Sequence, residues 1–119
     1  ASLLYIDDDP DHIETVRKTM SSYKDYSLVV RKTLKKGVKA ARLMFPDAIM
    51  YRHGAFGENG DEALRSLRGQ RDAPFVIELL DRSEAMTESG SKVDAILPLP
   101  LQQTALRHVL TAIKSKCHD

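Results

Sequence analysis

The residues of this chain best suited to chemistry are carboxylates that follow a short apolar run near its start. Asp7 and Asp8 come directly after Leu3–Ile6, and the apolar run 48–51 leads in the same way to Arg52. Mg²⁺ takes carboxylate oxygens as ligands, whereas a guanidinium can fork onto a carboxylate. Arg52 could point to solvent, but unpaired carboxylates at one strand end repel each other. We therefore predict an ion pair between Arg52 and this acidic pair, with the guanidinium in the place that a metal ion would take.

The elements that position these residues follow from alternating apolar runs and amphipathic stretches. Strands are predicted at Leu3–Asp7, Ser27–Arg31, Ala48–Tyr51, Phe75–Leu80 and Ala95–Leu97. Helices are predicted at Asp11–Ser22, Leu34–Phe45, Asp61–Arg68 and Gln102–Lys116, with a weaker one within Asp81–Val93. This rhythm predicts a doubly wound parallel sheet, in which ligands sit at the carboxyl ends of the strands. Asp7, Asp8 and Arg52 should meet there.

The composition limits the classes of protein to which this chain could belong. The chain has 119 residues, 42% of them hydrophobic, which predicts a single globular domain spanning 1–119. A net charge of +1 gives no global field that favours nucleic acid or a membrane surface. The lone Cys117 excludes an internal disulfide framework. No apolar run has the length of a membrane span and no signal peptide is visible, so the cytoplasm is the expected location.

Four landmarks resemble those of the response-regulator receiver (CheY-like) domain family. In chain order they are Asp7-Asp8, Pro46-Asp47, Asn59-Gly60 and Leu97-Pro98-Leu99-Pro100-Leu101. The resemblance extends from Leu3 to Ile113. It implies a three-layer flavodoxin-like fold with strand order 2-1-3-4-5, and a cis peptide bond before Pro100.

The resemblance also implies which chemistry is missing. In receivers an Asp accepts a phosphoryl group from a phosphohistidine, Mg²⁺ is held by that Asp and the acidic pair, and a Lys and a Ser or Thr contact the phosphoryl oxygens. The matching positions here hold Arg52 for the Asp, Leu79 or Leu80 for the hydroxyl residue, Leu99 for the Lys and Ile96 for a switching aromatic residue. A guanidinium is no nucleophile. The resemblance thus implies a vestigial phosphorylation site, without Mg²⁺ binding or enzyme activity, at Asp7, Asp8, Arg52, Leu79 and Leu99.

A basic segment is the most distinctive surface feature of the sequence. It has six cations and no acid: Arg31, Lys32, Lys35, Lys36, Lys39 and Arg42. A solvated helix face is one interpretation. A docking patch for an acidic partner or for nucleic acid is the other.

These observations predict a pseudo-receiver that acts in two-component-type signalling as a phosphorylation-independent interaction module. It would regulate an output domain or another protein partner, or form a homodimer through its fourth helix, fifth strand and fifth helix. Three alternatives stay open. They are a phosphorylatable receiver with a displaced site, for which Asp47 is the nearest acid, an enzyme or small-ligand binder on the same architecture, and a nucleic-acid-binding module that uses the basic segment.

Overall fold

The structure is a computed structural model that describes residues 2–52, 62, 65–67, 75–80, 94–99 and 101–117. In chain order the elements are β1 (Ser2–Ile6), α1 (Pro10–Met20), β2 (Ser27–Arg31), α2 (Leu34–Met44), β3 (Ala48–Arg52), β4 (Phe75–Leu80), β5 (Ala95–Pro98) and a last helix (Gln103–Cys117). Residues 62 and 65–67 are helical, within the predicted helix Asp61–Arg68. The predicted helix in Asp81–Val93, the Asn59-Gly60 landmark and Pro100 lie outside the described residues.

The five strands form one parallel sheet in the order β2-β1-β3-β4-β5. This order confirms the predicted three-layer, flavodoxin-like α/β fold with topology 2-1-3-4-5. The predicted strand bounds differ by a residue or so at some ends. Asp7 lies just beyond β1 rather than within it, and Arg52 is the last residue of β3. No helix in the described part of the chain is long and apolar enough to cross a membrane.

Side chains of successive strand residues point to opposite faces of the sheet, and each face has its own apolar cluster. Leu3, Tyr5 and Met50 pack with side chains of α1 and the last helix. Leu4 and Ile6 pack on the other side, with side chains of α2. Because helices cover both faces, the inner strands are apolar almost throughout, as is usual for a parallel sheet.

The start of α1 fixes the backbone just after β1. Asp9 is the N-cap of α1, where its side chain accepts hydrogen bonds from the backbone N–H of Asp11 at 2.9 Å and of His12 at 3.4 Å. Pro10 follows in the first turn, where its missing N–H costs no helical hydrogen bond. This cap confines Asp7 and Asp8 to a short turn between the sheet and the helix.

The position of α2 on the sheet depends on a residue without a side chain. Gly37 lies in α2 against Ile6, which is 1% exposed. A Cβ at position 37 would collide with Ile6 Cδ1 and lie 2.9 Å from Ile6 Cγ1. Glycine weakens a helix interior by up to about 1 kcal/mol relative to alanine, so close packing explains its presence here.

We predict that Gly37→Ala destabilises the protein by about 1–2 kcal/mol, because overpacking outweighs the gain in helix propensity. Urea denaturation measures this change. Adding Ile6→Val removes the Cδ1 methyl group, so the double variant should lose less stability than the sum of the two single variants. A more stable Gly37→Ala variant would show that α2 does not need this close approach.

Candidate functional site

The carboxyl ends of β1 and β3 bring opposite charges together. Ile6 pairs with Tyr51 in the parallel register, so the next residue of each chain segment, Asp7 and Arg52, lie side by side. The Nε of Arg52 donates to Oδ1 of Asp7 at 3.0 Å. Its Nη2 donates to Oδ1 of Asp8 at 3.4 Å. These contacts confirm the predicted meeting of Arg52 with both members of the acidic pair.

The carboxylate of Asp7 is buried, and both of its oxygens are engaged by the protein. The residue is 1% exposed. Oδ1 accepts from Arg52 Nε and, at 3.0 Å, from the backbone N–H of Asp9. Oδ2 accepts from the hydroxyl of Tyr5. A buried carboxylate is tolerated only when it is paired and hydrogen-bonded, and Asp7 meets both conditions within this chain.

Tyr5 is part of the site, although the sequence interpretation did not include it. Its side chain is fully buried in the apolar cluster, and its hydroxyl donates to Asp7. Burial, together with the hydrogen bond to Asp7, raises the pKa of Tyr5 far above its usual range. The hydroxyl therefore stays protonated and remains a donor. Alternation along β1 places residues 5 and 7 on one side of the chain, and this signal could have identified Tyr5.

The ring of His12 also faces the acidic turn. Its Nδ1 lies 3.5 Å from Oδ2 of Asp7 and 3.6 Å from Oδ2 of Asp9. The Nδ1 atom is buried and makes no hydrogen bond. His12 was not predicted here because its place depends on the direction in which α1 leaves the turn. His53, which adjoins Arg52 in sequence, lies outside the described residues.

The guanidinium is stabilised in its charged form by this environment. The hydrogen bond to Asp7 raises the pKa of Arg52, although partial burial acts against it, and the charge of Asp8 adds to the increase. Partial burial would raise the pKa of Asp9, but hydrogen bonds from the N–H groups of His12 and Asp11 lower it. Both shifts favour the charged forms, the carboxylate of Asp9 and the guanidinium of Arg52.

The two leucines at the matched receiver positions have no polar group to offer. Leu79 is the register partner of Arg52 in the neighbouring strand and is fully buried. Leu99 is 5% exposed, and its backbone N–H donates to the carbonyl of Leu80 at 2.9 Å. Leu79 and Leu99 both belong to the apolar cluster that contains Tyr5. Their side chains add to the core beside the ion pair.

Asp47 lies at the amino end of β3, whereas Arg52 lies at the carboxyl end of the same strand. It immediately precedes β3, and its Oδ2 accepts from the backbone N–H of Ser2 at 2.8 Å. Its own N–H donates to the carbonyl of Ser2 at 2.9 Å. Five strand residues at about 3.3 Å each separate it from the acidic turn. These contacts tie the starts of β1 and β3 together, so Asp47 does not replace a phosphoacceptor beside Asp7.

The side chains at the acidic turn are a poor fit for Mg²⁺. Such a site needs carboxylate oxygens that are free to coordinate, but the Asp7 oxygens already accept hydrogen bonds from Arg52, Asp9 and Tyr5. Across the part of the chain that the structure describes, no group of three or more His, Cys, Asp or Glu side chains is arranged to hold a metal ion.

The basic segment extends from the carboxyl end of β2 along the outer side of α2. All six of its cations are exposed: Arg31, Lys32, Lys35, Lys36, Lys39 and Arg42. This exposure agrees with a solvated face and equally with a docking surface. The use of the segment as a patch for a partner stays a prediction at this point.

Comparisons with known proteins identify the fold. No protein-family model matches the chain, and no curated protein matches it at a significant level. A response-regulator receiver domain from Clostridium thermocellum matches with a TM-score of 0.81 and 14% identity, covering 99% of this chain and 97% of its own. A CheY-like receiver domain from Methylobacillus flagellatus gives 0.78 and 15%, covering 94% and 97%.

A third similar structure has metal in its site. It is the receiver domain of a sensor histidine kinase from Pseudomonas aeruginosa PAO1, solved with a magnesium ion coordinated in the active-site cleft. Its TM-score is 0.74 at 18% identity, and the match covers 93% of this chain and 94% of that one. At such low identities the likeness is one of fold. The chain therefore has the receiver-domain fold of two-component signalling proteins, and its activity must be argued from its own residues.

We predict that Arg52→Gln destabilises the protein by about 1–3 kcal/mol, because it leaves the buried Asp7 carboxylate without its cation. Urea denaturation at neutral pH is the measurement. Asp8→Asn is the matched control, since the Asp8 side chain is 73% exposed and its loss should cost less than about 0.5 kcal/mol. Equal stability of Arg52→Gln and the unaltered protein would mean that Asp7 does not depend on Arg52.

Proposed function

We propose that this chain is an atypical receiver domain, a pseudo-receiver, that acts in two-component-type signalling as a phosphorylation-independent protein-interaction and regulatory module. The observation that carries the proposal is the Arg52–Asp7 ion pair at the carboxyl end of the sheet. A receiver would need a nucleophilic carboxylate and a metal ion at that place. The proposed partner is a protein or an output domain, and the proposed location is the cytoplasm.

The loss of the nucleophile supports the first part of the proposal. An acyl phosphate forms only on a carboxylate, and a guanidinium stays protonated and non-nucleophilic. Of the two acids nearest to Arg52, Asp7 is buried and has both oxygens engaged, while Asp8 is exposed beside the guanidinium. With hydrocarbon at positions 79 and 99, the chain also lacks the groups that would hold phosphoryl oxygens there. We therefore propose no enzymatic phosphoryl transfer.

Electrostatics supports the proposed loss of Mg²⁺ binding. Two unit charges of the same sign roughly 4 Å apart repel by about 4 kcal/mol at an effective dielectric constant of 20, and a divalent ion about doubles that figure. The guanidinium of Arg52 would impose this repulsion on an ion bound at Asp7, whose oxygens the ion would also have to strip of their hydrogen bonds. We propose that the domain works without a cofactor.

A homodimer through the helix predicted in Asp81–Val93, β5 and the last helix also stays a proposal. Ile96, at the position of the switching aromatic residue, is 37% exposed on β5, which is an edge strand of the sheet. An exposed apolar residue on this edge is compatible with a partner that contacts β5. Phosphorylation would not control such a contact if the Arg52–Asp7 pair is permanent.

We predict that the protein incubated with acetyl phosphate and Mg²⁺ gains no phosphoryl group, because Arg52 stands at the position of the acceptor carboxylate and pairs with Asp7. Intact-mass spectrometry detects the gain, and a conventional receiver domain treated in parallel is the positive control. An adduct that maps to Asp7, Asp8 or Asp47 would contradict the proposal and favour a displaced phosphorylation site.

Arg52→Asp should recover at most part of the lost chemistry. We predict saturable Mg²⁺ binding by calorimetry in this variant and none in the unaltered protein, because the third carboxylate replaces the cation. Arg52→Gln, which removes the cation without adding an acid, is the matched control. A conventional receiver changes its NMR spectrum when it is phosphorylated. The phosphorylated Arg52→Asp variant should not show such a change, because Leu79 and Leu99 remain. A full conformational response would show that these leucines do not disable the site.

A further inference from the structure

The outer side of α2 carries an open groove that lies apart from the Arg52–Asp7 pair. Its volume is about 670 Å³, and it runs between α2 and the helical residues 65–67, where Ser66 lines the opposite wall. The apolar lining comes from Leu34, Val38 and Leu43. This groove is therefore an apolar surface on a helix that also bears most of the basic segment.

The apolar lining is joined to the core at one end and open to water at the other. Leu34 and Val38, one helical turn apart, are half-buried and pack against the apolar cluster on this face of the sheet. Leu43 is 75% exposed, the largest value among the large hydrophobic side chains of the described residues. A single exposed leucine is ordinary, but one that continues a groove extends a docking surface.

Cations also line the groove, and the helical spacing places them between Val38 and Leu43. Lys35, Lys39 and Arg42 line it, and they follow one another at the i, i+4 and i+7 spacing of one helix face. All three are exposed. With no acid in α2 to neutralise them, the groove combines apolar and positively charged side chains.

This charge pattern does not stabilise α2. Lys35 and Lys36 lie in the first turn, where the helix dipole disfavours cations. Lys35 and Lys39 are like charges four residues apart, which also repel on a helix surface. Helix stability therefore does not explain these lysines, and they offer charge complementarity to an acidic partner.

We propose that the α2 groove binds an acidic amphipathic helix of a partner protein. Apolar side chains of that helix would contact Leu34, Val38 and Leu43, while its Glu or Asp residues would pair with the cations that lie between Val38 and Leu43. This is the helix-in-groove mode of recognition. The apolar lining favours a protein helix over nucleic acid, whose phosphates would use only the cations.

The dimensions agree with such a partner. The eleven residues of α2 span about 16 Å at 1.5 Å per residue. A partner helix that lies along the groove would therefore contact α2 over about three helical turns. This inference rests on the proposed function as an interaction module, because it names the surface and the chemistry of the partner.

The test uses the full chain and a defined probe. The probe is a fluorescent synthetic helical peptide with leucines at i, i+4 and i+7 and glutamates beside them. We expect saturable binding by fluorescence anisotropy, weaker at high salt, with amide chemical-shift changes centred on α2 and Ser66. Two control peptides replace either the glutamates by lysine or the leucines by serine, and neither should bind.

Variants separate the two parts of the surface. Leu43→Ser should weaken binding about tenfold, and Lys35→Glu combined with Lys39→Glu about tenfold or more. Both changes are at exposed side chains, so folding should persist. Arg17→Glu combined with Lys24→Glu makes the same change in net charge at exposed positions outside the groove. This charge-matched control should leave the affinity unchanged.

Three outcomes would overturn the inference. They are the absence of acidic-peptide binding, equal binding of the serine peptide, and chemical-shift changes that avoid α2. Binding of a single-stranded oligonucleotide through Lys35 and Lys39, without acidic-peptide binding, would assign the surface to nucleic acid instead.

Acetyl phosphate added to the complex separates this inference from the proposed function. An affinity that changes with phosphorylation would refute phosphorylation independence and leave the groove in place.

Discussion

The buried charge of Asp7 is the constraint on which the site depends. A carboxylate at the end of an inner strand loses almost all contact with water, and the loss is tolerable only with a cation and hydrogen-bond donors at hand. Arg52 supplies the cation at 3.0 Å, while Tyr5 and the backbone of Asp9 supply donors. The side chains around this turn are best understood as the partners that one buried acid requires.

The strand register of the parallel sheet requires Asp7 and Arg52 to lie next to each other. Register pairs Ile6 with Tyr51, so whatever follows β1 must face whatever ends β3. The backbone is held on both sides of the turn, by the Asp9 cap of α1 and by the seat of α2, where Gly37 contacts Ile6. The residue that packs beneath α2 thus immediately precedes Asp7 in the chain. The ion pair and the contact that positions α2 therefore involve consecutive residues of the chain, Asp7 and Ile6.

Sequence patterns could predict what depends on strand order and strand ends. The apolar runs identified all five strands, and their ends brought Asp7, Asp8 and Arg52 together. The interpretation of the sequence did not include Tyr5 or His12 as neighbours of Asp7. The i, i+2 spacing of Tyr5 and Asp7 could have identified the tyrosine, whereas the place of His12 depends on the direction in which α1 leaves the turn. The apolar lining of the α2 groove was also missed. It depends on how far Ser66 stands from α2, which no local pattern encodes.

The position of the cation explains why the proposed module would be independent of phosphate. In a site built from three carboxylates, like charges repel, and relief comes from a bound ion whose occupancy varies with its concentration. Here the neutralising cation is part of the chain itself, because the guanidinium of Arg52 is always charged and lies 3.0 Å from Asp7. Because the charge of Asp7 is balanced without a bound ion, ion binding and release cannot change this balance. A signal would then reach this domain through the surfaces it presents to other proteins, since ligands shift a population only where they bind one state better.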